Sequence, residues 1–455
     1  MLGLMNRREL LRSVGLLLGY SSLNRLAGAA ETQDAAIPRT NWSGNLHYST
    51  DKVFAPATAE EAVSIVRSNS KIKALGSRHC FNDIADSNYA QISMRAVKGI
   101  KIDTTNKTVT VGAGTAYGEL APVLDQTGFA LANLASLPHI SVGGTIATAT
   151  HGSGIANQNL AAAVQTLRLV KADGSVVELS QAEDRDRFRL AVVHLGALGV
   201  VTHVTLAIVP RFDMAQVVYE NLSFDQLEKN LDAIMGAAYS VSLFTDWQHN
   251  RATQVWIKRK VDPNEADRSL APEFYGATLQ QEKLHPVAGL SAEPCTEQLG
   301  SIGPWYLKLP HFKMEFTPSA GRELQTEYFV PRSEGYRAMR AVEQLRDRIT
   351  PLLFITEIRT IAVDQMPMSM HHGRESLAIH FTWKPDEPAV RQLLPSIESA
   401  LKPFGVRPHW GKIFEIEPSY LRAQYPQMDQ FRALATSFDP TGKFRNKYLE
   451  RNMVS

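Results

Sequence analysis

The stretch from Ala74 to Phe81 brings together a glycine turn, a permanent cation and a nitrogen nucleophile. A short apolar strand is expected at 72–75, and it runs directly into Gly76-Ser77-Arg78-His79-Cys80-Phe81. Glycine at the turn lets successive backbone N–H groups point into one concavity, which suits a diphosphate. Such a loop is a candidate for holding a dinucleotide and bonding to it covalently through His79. The competing interpretation is an ordinary strand-to-loop turn with a surface histidine.

A second candidate cofactor segment runs from Ser136 to Gly154 and consists almost entirely of small residues after Ser141. Small residues allow the backbone to pass close to a ligand. A small-residue helix packed on a sheet would explain 143–149 equally well, but it would not explain His151-Gly152-Ser153-Gly154. Together with Gly196-Ala197-Leu198-Gly199-Val200-Val201-Thr202, three glycine-bearing loops follow in one order and indicate a flavin site. The expected cofactor-binding residues are Gly76, Ser77, Arg78, His79, Cys80, Phe81, Ser136, Ser141, Gly143, Gly144, Thr145, Thr148, Ala149, Thr150, His151, Gly152, Gly199 and Val201.

A further glycine-bearing run, Gly112-Ala113-Gly114-Thr115-Ala116-Tyr117-Gly118, invites a Rossmann interpretation because a strand precedes it and a helix follows it. Three residues separate its last two glycines where that fingerprint needs two, and no acidic residue closes a second strand about 20 residues on. The run therefore predicts an ordinary strand-to-helix turn.

Five polar side chains on three segments of the second half form a candidate substrate site. Strand alternation places residues two apart on one face, so each of two predicted strands presents a pair of polar groups together. Each pair alone is more often an ordinary half-buried strand face or an ion pair. Five such groups favour a site instead, and they are Glu357, Arg359, His380, Thr382 and Lys412.

These groups are carried by a regular pattern of helices and strands. In the first half, a capping box at Thr58 and Glu61 starts a helix, and a second helix is expected at 116–126. Hairpins are expected at 100–112 and around Asp173-Gly174. A strand at 200–209 closes that half. The second half is expected to contain strands at 253–260, 353–361 and 377–383, helices near 224–236, 332–348 and 388–401, and a surface excursion over 261–304.

Composition limits the class of protein. The chain has 455 residues, 44% apolar and 21% charged, which is typical of a soluble globular protein with two or three domains. No window approaches the ~20 apolar residues of a membrane span. Cys80 and Cys295 lie far apart in sequence and are expected to be free thiols.

The pattern of residues 1–29 predicts an N-terminal targeting segment. Asn6-Arg7-Arg8-Glu9-Leu10-Leu11-Arg12 is a twin-arginine pattern, followed by a short apolar stretch and by the possible cleavage site Ala27-Gly28-Ala29. The sequence therefore predicts export of the folded protein by the twin-arginine (Tat) machinery to the periplasm or the medium. Removing this segment lowers the net charge from +2 to −1, so the mature chain shows no electrostatic footprint for nucleic acid.

The order of the three glycine-bearing loops resembles the vanillyl-alcohol-oxidase-type flavoprotein family, and the resemblance covers essentially the whole mature chain. In one branch of that family, the histidine of a G-x-x-H-x-F loop bonds to the 8α-methyl carbon of FAD, and His79 matches it. Relatives often carry serine at the position of Cys80, so a second bond through sulfur is an alternative. The implied fold class is α+β, with a two-part (PCMH-type) FAD-binding domain over 40–211. An inserted α+β substrate (cap) domain follows over 212–412, and the segment 413–455 returns to the FAD domain.

Six short segments of the second half narrow the resemblance. They are similar to the corresponding segments of bacterial alditol oxidases, and they read EIRTI, LAIHFTW, RPHWGK, LFTDW, LPHFKMEFTP and EYFVPR. The gulonolactone-oxidase branch shares the HWGK-like and FDP-like signatures but differs in its substrate strands. The resemblance implies oxidation of the terminal primary alcohol of an alditol such as xylitol or sorbitol, with hydride transfer to flavin N5 and reoxidation by O2 to give H2O2.

The resemblance also implies residue roles. The open-chain polyol would be surrounded by Ser136, Glu357, Arg359, His380, Thr382 and Lys412. The catalytic residues among them would be His380, Arg359, Lys412 and Glu357. His380 would polarise or deprotonate the hydroxyl, helped by the positive charges of Arg359 and Lys412. Lys412 would also face the N1–C2 carbonyl edge of the flavin, and Glu357 would bind a second hydroxyl and orient Arg359.

Two alternative functions remain open at this point. A sugar-lactone or aldose oxidoreductase with an electron acceptor other than O2 would share the fold, and a non-catalytic flavin- or sugar-binding protein would share the scaffold. His371 and His372 lack a third ligand at suitable spacing, so they are expected to be solvated and no metal site is predicted. The oligomeric state is not fixed by the sequence, and a monomer is expected.

Overall fold

The computed structural model describes residues 37–261, 270–316 and 322–454, which contain both strands and helices. The predicted signal segment 1–29 lies outside the described residues, and residues 39–455 form one compact unit. The strands are β1 Val53–Phe54, β2 Lys73–Leu75, β3 Gln91–Ser93, β4 Ile100–Asp103, β5 Thr108–Gly112, β6 Phe129–Ala130, β7 Val164–Val170, β8 Val176–Ser180, β9 Val200–Ala207, β10 Val209–Pro210, β11 Asp213–Ser223, β12 Ser240–Thr245, β13 Arg251–Val261, β14 Glu273–Phe274, β15 Ala277–Leu279, β16 Ile302–Pro304, β17 Leu324–Pro331, β18 Leu353–Ile361, β19 Ser376–Trp383 and β20 Arg407–Pro408.

The α-helices of the described residues vary from one turn to four. They are α1 Ala59–Ser68, α2 Tyr117–Gln126, α3 Val142–Ala147, α4 Gln181–Val192, α5 Phe224–Met235, α6 Gly335–Glu343, α7 Arg346–Ile349, α8 Glu387–Leu401, α9 Pro418–Gln424, α10 Met428–Phe438 and α11 Lys447–Leu449. None of the helices in the described ranges is long and apolar enough to span a membrane.

Three small sheets lie in the described first half of the chain, and the smallest pairs β6 with β10 in antiparallel order. A parallel sheet has the order β1-β3-β2, and an antiparallel sheet has the order β4-β5-β9-β7-β8. The β4–β5 and β7–β8 hairpins are the two predicted from their turn residues. The side chain of Thr58 accepts from the Glu61 backbone N–H and starts α1, as predicted. The glycine-bearing run that starts at Gly112 is the turn from β5 to α2, as predicted. Because β5 pairs antiparallel with both of its neighbours, the run does not belong to a parallel Rossmann sheet.

A ten-stranded sheet is built from residues 213–408. Its order is β14-β15-β11-β13-β12-β18-β19-β17-β20, with β16 paired to β11. One face packs against α5 and α6, because α5 contacts β11 and β12 and α6 contacts β17 and β19. Side chains on that covered face, such as Ile358, Ile379 and Phe381, are fully buried. The other face is free to carry polar groups, and the candidate site lies there.

The fold departs from the expected elements in two places. The predicted surface excursion at 261–304 contains three short strands, and two of them pair directly with β11 in the described residues. The helix predicted at 332–348 is divided into α6 and α7 by the residues Gln344 and Leu345.

The last residues of the chain bond to its first half. The Lys443 carbonyl accepts from Ile72 N at 3.0 Å, the Phe438 carbonyl accepts from Ala172 N at 3.1 Å, and the Asn446 side chain donates to the Asp83 carbonyl at 3.0 Å. The exact domain boundaries at 211 and 412 remain predictions.

Candidate active site

Three ionisable side chains form a row across neighbouring strands of the ten-stranded sheet. In the sheet register, His380 on β19 lies directly opposite Glu327 on β17 and Glu357 on β18. Residues directly opposite each other on antiparallel strands share a face, so these three side chains line up on one side of the sheet. Arg359 and Thr382 lie on the same face, each two residues further along its strand. The structure therefore confirms the two strand faces that were predicted from alternation.

Glu327 is in contact with three ionisable side chains. Its carboxylate accepts from Arg359 Nη2 at 2.5 Å and from Lys412 Nζ at 2.7 Å, and it lies 3.3 Å from His151 Nε2. The side chain is only 1% exposed. Burial alone would raise its pKa, but the positive charges of Lys412 and Arg359 hold the pKa well below its usual range. Glu327 is thus an ionised carboxylate between two cations.

Glu357 is held by a different set of neighbours. One of its oxygens accepts from His311 Nε2 at 2.7 Å and lies 3.6 Å from Arg359 Nε, and the other lies 3.7 Å from His380 Nδ1. Burial would raise the pKa of Glu357, but Arg359 and His311 keep it well below its ordinary value. The second carboxylate of the row is therefore ionised as well, and it faces the ring of His380.

His380 has the properties of a base. Its Nε2 is buried and has no hydrogen-bond partner among the described residues. Burial and the positive charge of Lys412 lower its pKa to about 4, so the ring is neutral near pH 7. A neutral imidazole with a free nitrogen can accept a proton from a substrate hydroxyl.

The loop that carries His79 is bonded to the segment that carries Lys412. Phe81 N donates to the Gly411 carbonyl at 2.8 Å, and the Asn82 side chain donates to the Lys412 carbonyl at 2.7 Å. Burial, followed by the positive charge of Lys412, lowers the pKa of His79 to about 3. The His79 ring is therefore neutral, and its nitrogen lone pair is available beside the candidate substrate site.

The structure brings the three predicted cofactor loops together. A Cβ built on Gly76 would lie 3.2 Å from Ser141 Oγ and 3.4 Å from Gly144 Cα. Gly143 N donates to the Ala113 carbonyl at 2.9 Å, and Ala113 N donates to the Thr202 carbonyl at 2.8 Å, which joins 141–154 to 199–202. These approaches need small residues, so the glycines are explained by backbone contact.

Hydroxyl groups at this junction fit a phosphate- and polyol-bearing cofactor. The Ser141 and Thr145 hydroxyl oxygens are buried without a hydrogen-bond partner among the described residues, and a buried polar atom of that kind usually has one. The 143–149 segment is largely the short helix α3, so the alternative of a small-residue helix is also correct. The helix and the ligand-facing hydroxyls occur together.

Other predicted cofactor residues have contacts within the protein. Arg78 lies in the left-handed region at φ 64°, and its guanidinium donates to the Thr40 carbonyl at 2.7 Å. Thr148 bonds to Gly144 and Thr150. The remaining members lie as follows: Ser77 accepts from Ser141 N, Ala149 has φ 52°, Gly152 packs on the Leu134 carbonyl, Gly199 packs on the Val170 carbonyl, and Val201 pairs with Leu169 within the five-stranded sheet.

Two of the predicted residues, Ser136 and His151, extend the site toward the ten-stranded sheet. Ser136 Oγ lies 3.4 Å from Arg359 Nη1, which places this hydroxyl at the edge of the charged row. His151 contacts Glu327, as described above. Both residues therefore connect the first half of the chain to the candidate substrate site.

Both cysteines are free in the structure, as predicted. Burial raises the pKa of Cys80 to about 12, so its thiol stays protonated at neutral pH. A protonated thiol is a poor nucleophile, and a second cofactor bond through sulfur is therefore disfavoured.

The expectation that His371 and His372 are both solvated is wrong for His371. Its ring is fully buried, with its centroid 4.8 Å from Phe329 and 5.3 Å from His151. His371 lies in the loop between β18 and β19, and local sequence does not distinguish a buried loop histidine from a solvated one, because the covering residues come from elsewhere in the chain.

Sequence reasoning also missed Glu327, His311 and Lys258. Lys258 Nζ donates to the His311 ring at 3.0 Å, behind Glu357. The signal for Glu327 was an acid directly before the apolar run Tyr328-Phe329-Val330, and it could have been noticed. Lys258 begins a Lys-Arg-Lys run that resembles a solvated strand end, so it gave no signal.

Comparison with known proteins finds relatives for both halves of the chain. Residues 50–180 match the model of an FAD binding domain, and residues 204–452 match the D-arabinono-1,4-lactone oxidase model. The chain is 45% identical over 414 residues to alditol oxidase of a Streptomyces species, covering 90% of this chain and 97% of that protein. It is 29% identical to L-gulono-1,4-lactone dehydrogenase of Mycobacterium tuberculosis, covering 90% and 98% of the two chains.

A solved structure shows the same fold. Cholesterol oxidase of B. sterolicum superposes with a TM-score of 0.74 at 15% identity, over 91% of this chain and 96% of that one. The chain belongs to the vanillyl-alcohol-oxidase-type family of FAD-dependent oxidoreductases, as the loop order predicted. Within that family its sequence is nearer to the Streptomyces alditol oxidase than to the mycobacterial lactone dehydrogenase.

Proposed function

We propose that the protein oxidises the terminal primary alcohol of an alditol, such as xylitol or sorbitol, to the aldose, and that O2 is reduced to H2O2. The observation that carries this proposal is the buried row Glu327–His380–Glu357 with Arg359 beside it. A polyol offers only hydroxyl groups, so a selective site needs many directed donors and acceptors in a small volume. The 45% identity to an alditol oxidase supports the same substrate class.

The side chains of the row have distinct tasks in this reaction. When bound, FAD supplies the acceptor for the hydride that leaves the carbinol carbon. His380 Nε2 takes the hydroxyl proton, and Arg359 and Lys412 stabilise the negative charge that develops on the oxygen. Glu357 is engaged by His311 and faces His380, so its position favours orienting the base over binding a second hydroxyl.

A pH profile tests the assignment of His380. Because the pKa of His380 is lowered to about 4, the rate of flavin reduction by xylitol should fall only as the pH drops through about 4. Lys412→Met removes a cation that lowers this pKa, so the acid limb of the profile should move to higher pH. Lys384→Met removes an exposed lysine after β19 and should leave the limb in place. Anaerobic stopped-flow measurements from roughly pH 3.5 upward check this. An acid limb that stays fixed in Lys412→Met would remove His380 from the role of base.

A sugar-lactone oxidoreductase is the second candidate, because residues 204–452 match a lactone-oxidase model. The two functions separate in one anaerobic experiment that follows the flavin absorbance of the purified protein. Rapid bleaching by xylitol, with slow or no bleaching by L-gulono-1,4-lactone, is the expected result. Bleaching by the lactone alone would replace the proposal with the second candidate. After bleaching by xylitol, admission of air should restore the flavin colour with release of H2O2, because O2 is the proposed electron acceptor.

We also propose that FAD is bound covalently through His79. The ring is neutral and therefore nucleophilic, and its loop is bonded to the segment that carries Lys412. Acid-precipitated protein should keep its yellow colour, and His79→Ala should release the flavin to the supernatant. The control is His139→Ala, a nearby histidine whose Nε2 lies 2.8 Å from the Met314 carbonyl, and it should keep the flavin in the pellet. Release of flavin from the unmodified protein would disprove the bond.

Export is part of the proposal as well. The twin-arginine pattern at Arg7 and Arg8 and the small residues Ala27-Gly28-Ala29 support removal of a signal segment during Tat-dependent export to the periplasm or the medium. The mature N-terminus is then expected at Ala30, and N-terminal sequencing of protein recovered from outside the cytoplasm checks it.

A further inference from the structure

Lys258 is a buried lysine that the mechanism above does not use. It lies on β13, on the same face of the ten-stranded sheet as Glu357, and only 1% of it is exposed. Its Nζ has three hydrogen-bond partners: the Leu309 carbonyl at 2.6 Å, the Pro310 carbonyl at 2.9 Å and His311 Nδ1 at 3.0 Å. A protonated lysine has three N–H donors, so each donor has one acceptor.

These contacts determine which nitrogen of His311 carries the proton. Because Nδ1 accepts from Lys258, the proton of the neutral ring sits on Nε2. That nitrogen lies 2.7 Å from Glu357 Oε1, and an ionised carboxylate can only accept. The Trp256 and Phe244 rings, with centroids 5.1 Å and 5.7 Å from that of His311, hold the imidazole in place.

The arrangement continues to the base. With Oε1 of Glu357 engaged by His311 and close to Arg359 Nε, the other oxygen is left facing His380 Nδ1 at 3.7 Å. A carboxylate beside Nδ1 favours the tautomer with the proton on Nδ1, so Nε2 keeps its lone pair. The unpartnered Nε2 described above is that atom.

We propose that Lys258 and His311 are positioning residues of the reaction, which act through Glu357 to fix His380 in the tautomer whose Nε2 accepts the substrate proton. The inference rests on the proposed alcohol oxidation. The O–H bond breaks as His380 Nε2 takes the proton, and the hydrogen of the C–H bond leaves with its electron pair to the bound cofactor. Neither Lys258 nor His311 exchanges a proton with the substrate.

Variants of these two residues test the proposal by kinetics. His311→Leu removes the donor to Glu357, His311→Gln keeps an N–H donor, and Lys258→Met removes the group that selects the tautomer. In anaerobic reduction by xylitol, we expect His311→Leu and Lys258→Met to lower the limiting rate by roughly tenfold to a hundredfold. We expect the apparent Kd for xylitol to stay within about threefold, and His311→Gln to recover most of the rate.

A matched control is available on the neighbouring segment. Lys308→Met removes another buried lysine, which donates to the Glu297 carbonyl and to Ser301 Oγ. In this variant xylitol should reduce the flavin at the same limiting rate as in the unmodified protein. A His311→Leu variant with an undiminished rate would overturn the proposal. So would a His311→Gln variant that loses as much as His311→Leu, because the donor to Glu357 would then be irrelevant.

A second measurement does not depend on substrate. In protein labelled with ¹⁵N-histidine, the His311 ring signals are identified by their absence from His311→Gln. They should show a protonated Nε2 and an unprotonated Nδ1, and Lys258→Met should give a mixture of tautomers. A ring protonated at Nδ1 in the unmodified protein would overturn the inference. Failure of every polyol to bleach the flavin, with the NMR result as expected, would instead overturn the proposed function.

Discussion

The contact of Glu327 with Arg359 and Lys412 determines how the candidate site is built. A buried charge is costly unless it is paired, and removal of one partner of a buried pair typically costs about 3–5 kcal/mol. Here two carboxylates, Glu327 and Glu357, are interleaved with two cations on one sheet face. Each charge therefore needs the others to stay in place, and together they fix β17, β18 and the Lys412 segment relative to one another.

The same contact links the cofactor loops to the substrate strands. His151 comes from the small-residue segment and lies 3.3 Å from Glu327, and the His79 loop is bonded to the backbone at Gly411 and Lys412. Lys412 is thus held by the substrate strands through its side chain and by the cofactor loop through its backbone. This geometry explains how His380, Arg359, Lys412 and the His79 loop, from distant parts of the sequence, come to lie at one place.

Much of this arrangement could be predicted from the sequence. Period-two alternation predicted the faces of β18 and β19. Glycine and other small residues predicted the three loops, and turn residues predicted both hairpins of the first half. These features depend on local sequence. Glu327, His311 and Lys258 were missed because their burial depends on partners far along the chain, such as Lys412, 85 residues from Glu327. The strand order β13-β12-β18-β19-β17 places Lys258 and Glu327 on either side of Glu357, and no local pattern reveals that order.

The unfolding free energy of a Glu327→Gln variant tests the central role of this carboxylate most directly. The matched control is Glu398→Gln, since Glu398 is also buried but accepts from the Tyr328 hydroxyl and Glu415 N, which an amide oxygen can also satisfy. In urea titrations near pH 7, Glu327→Gln should lose roughly 3–5 kcal/mol, and Glu398→Gln about 1 kcal/mol or less. Equal stability of the two variants would contradict the account, because the two cations would then not need Glu327.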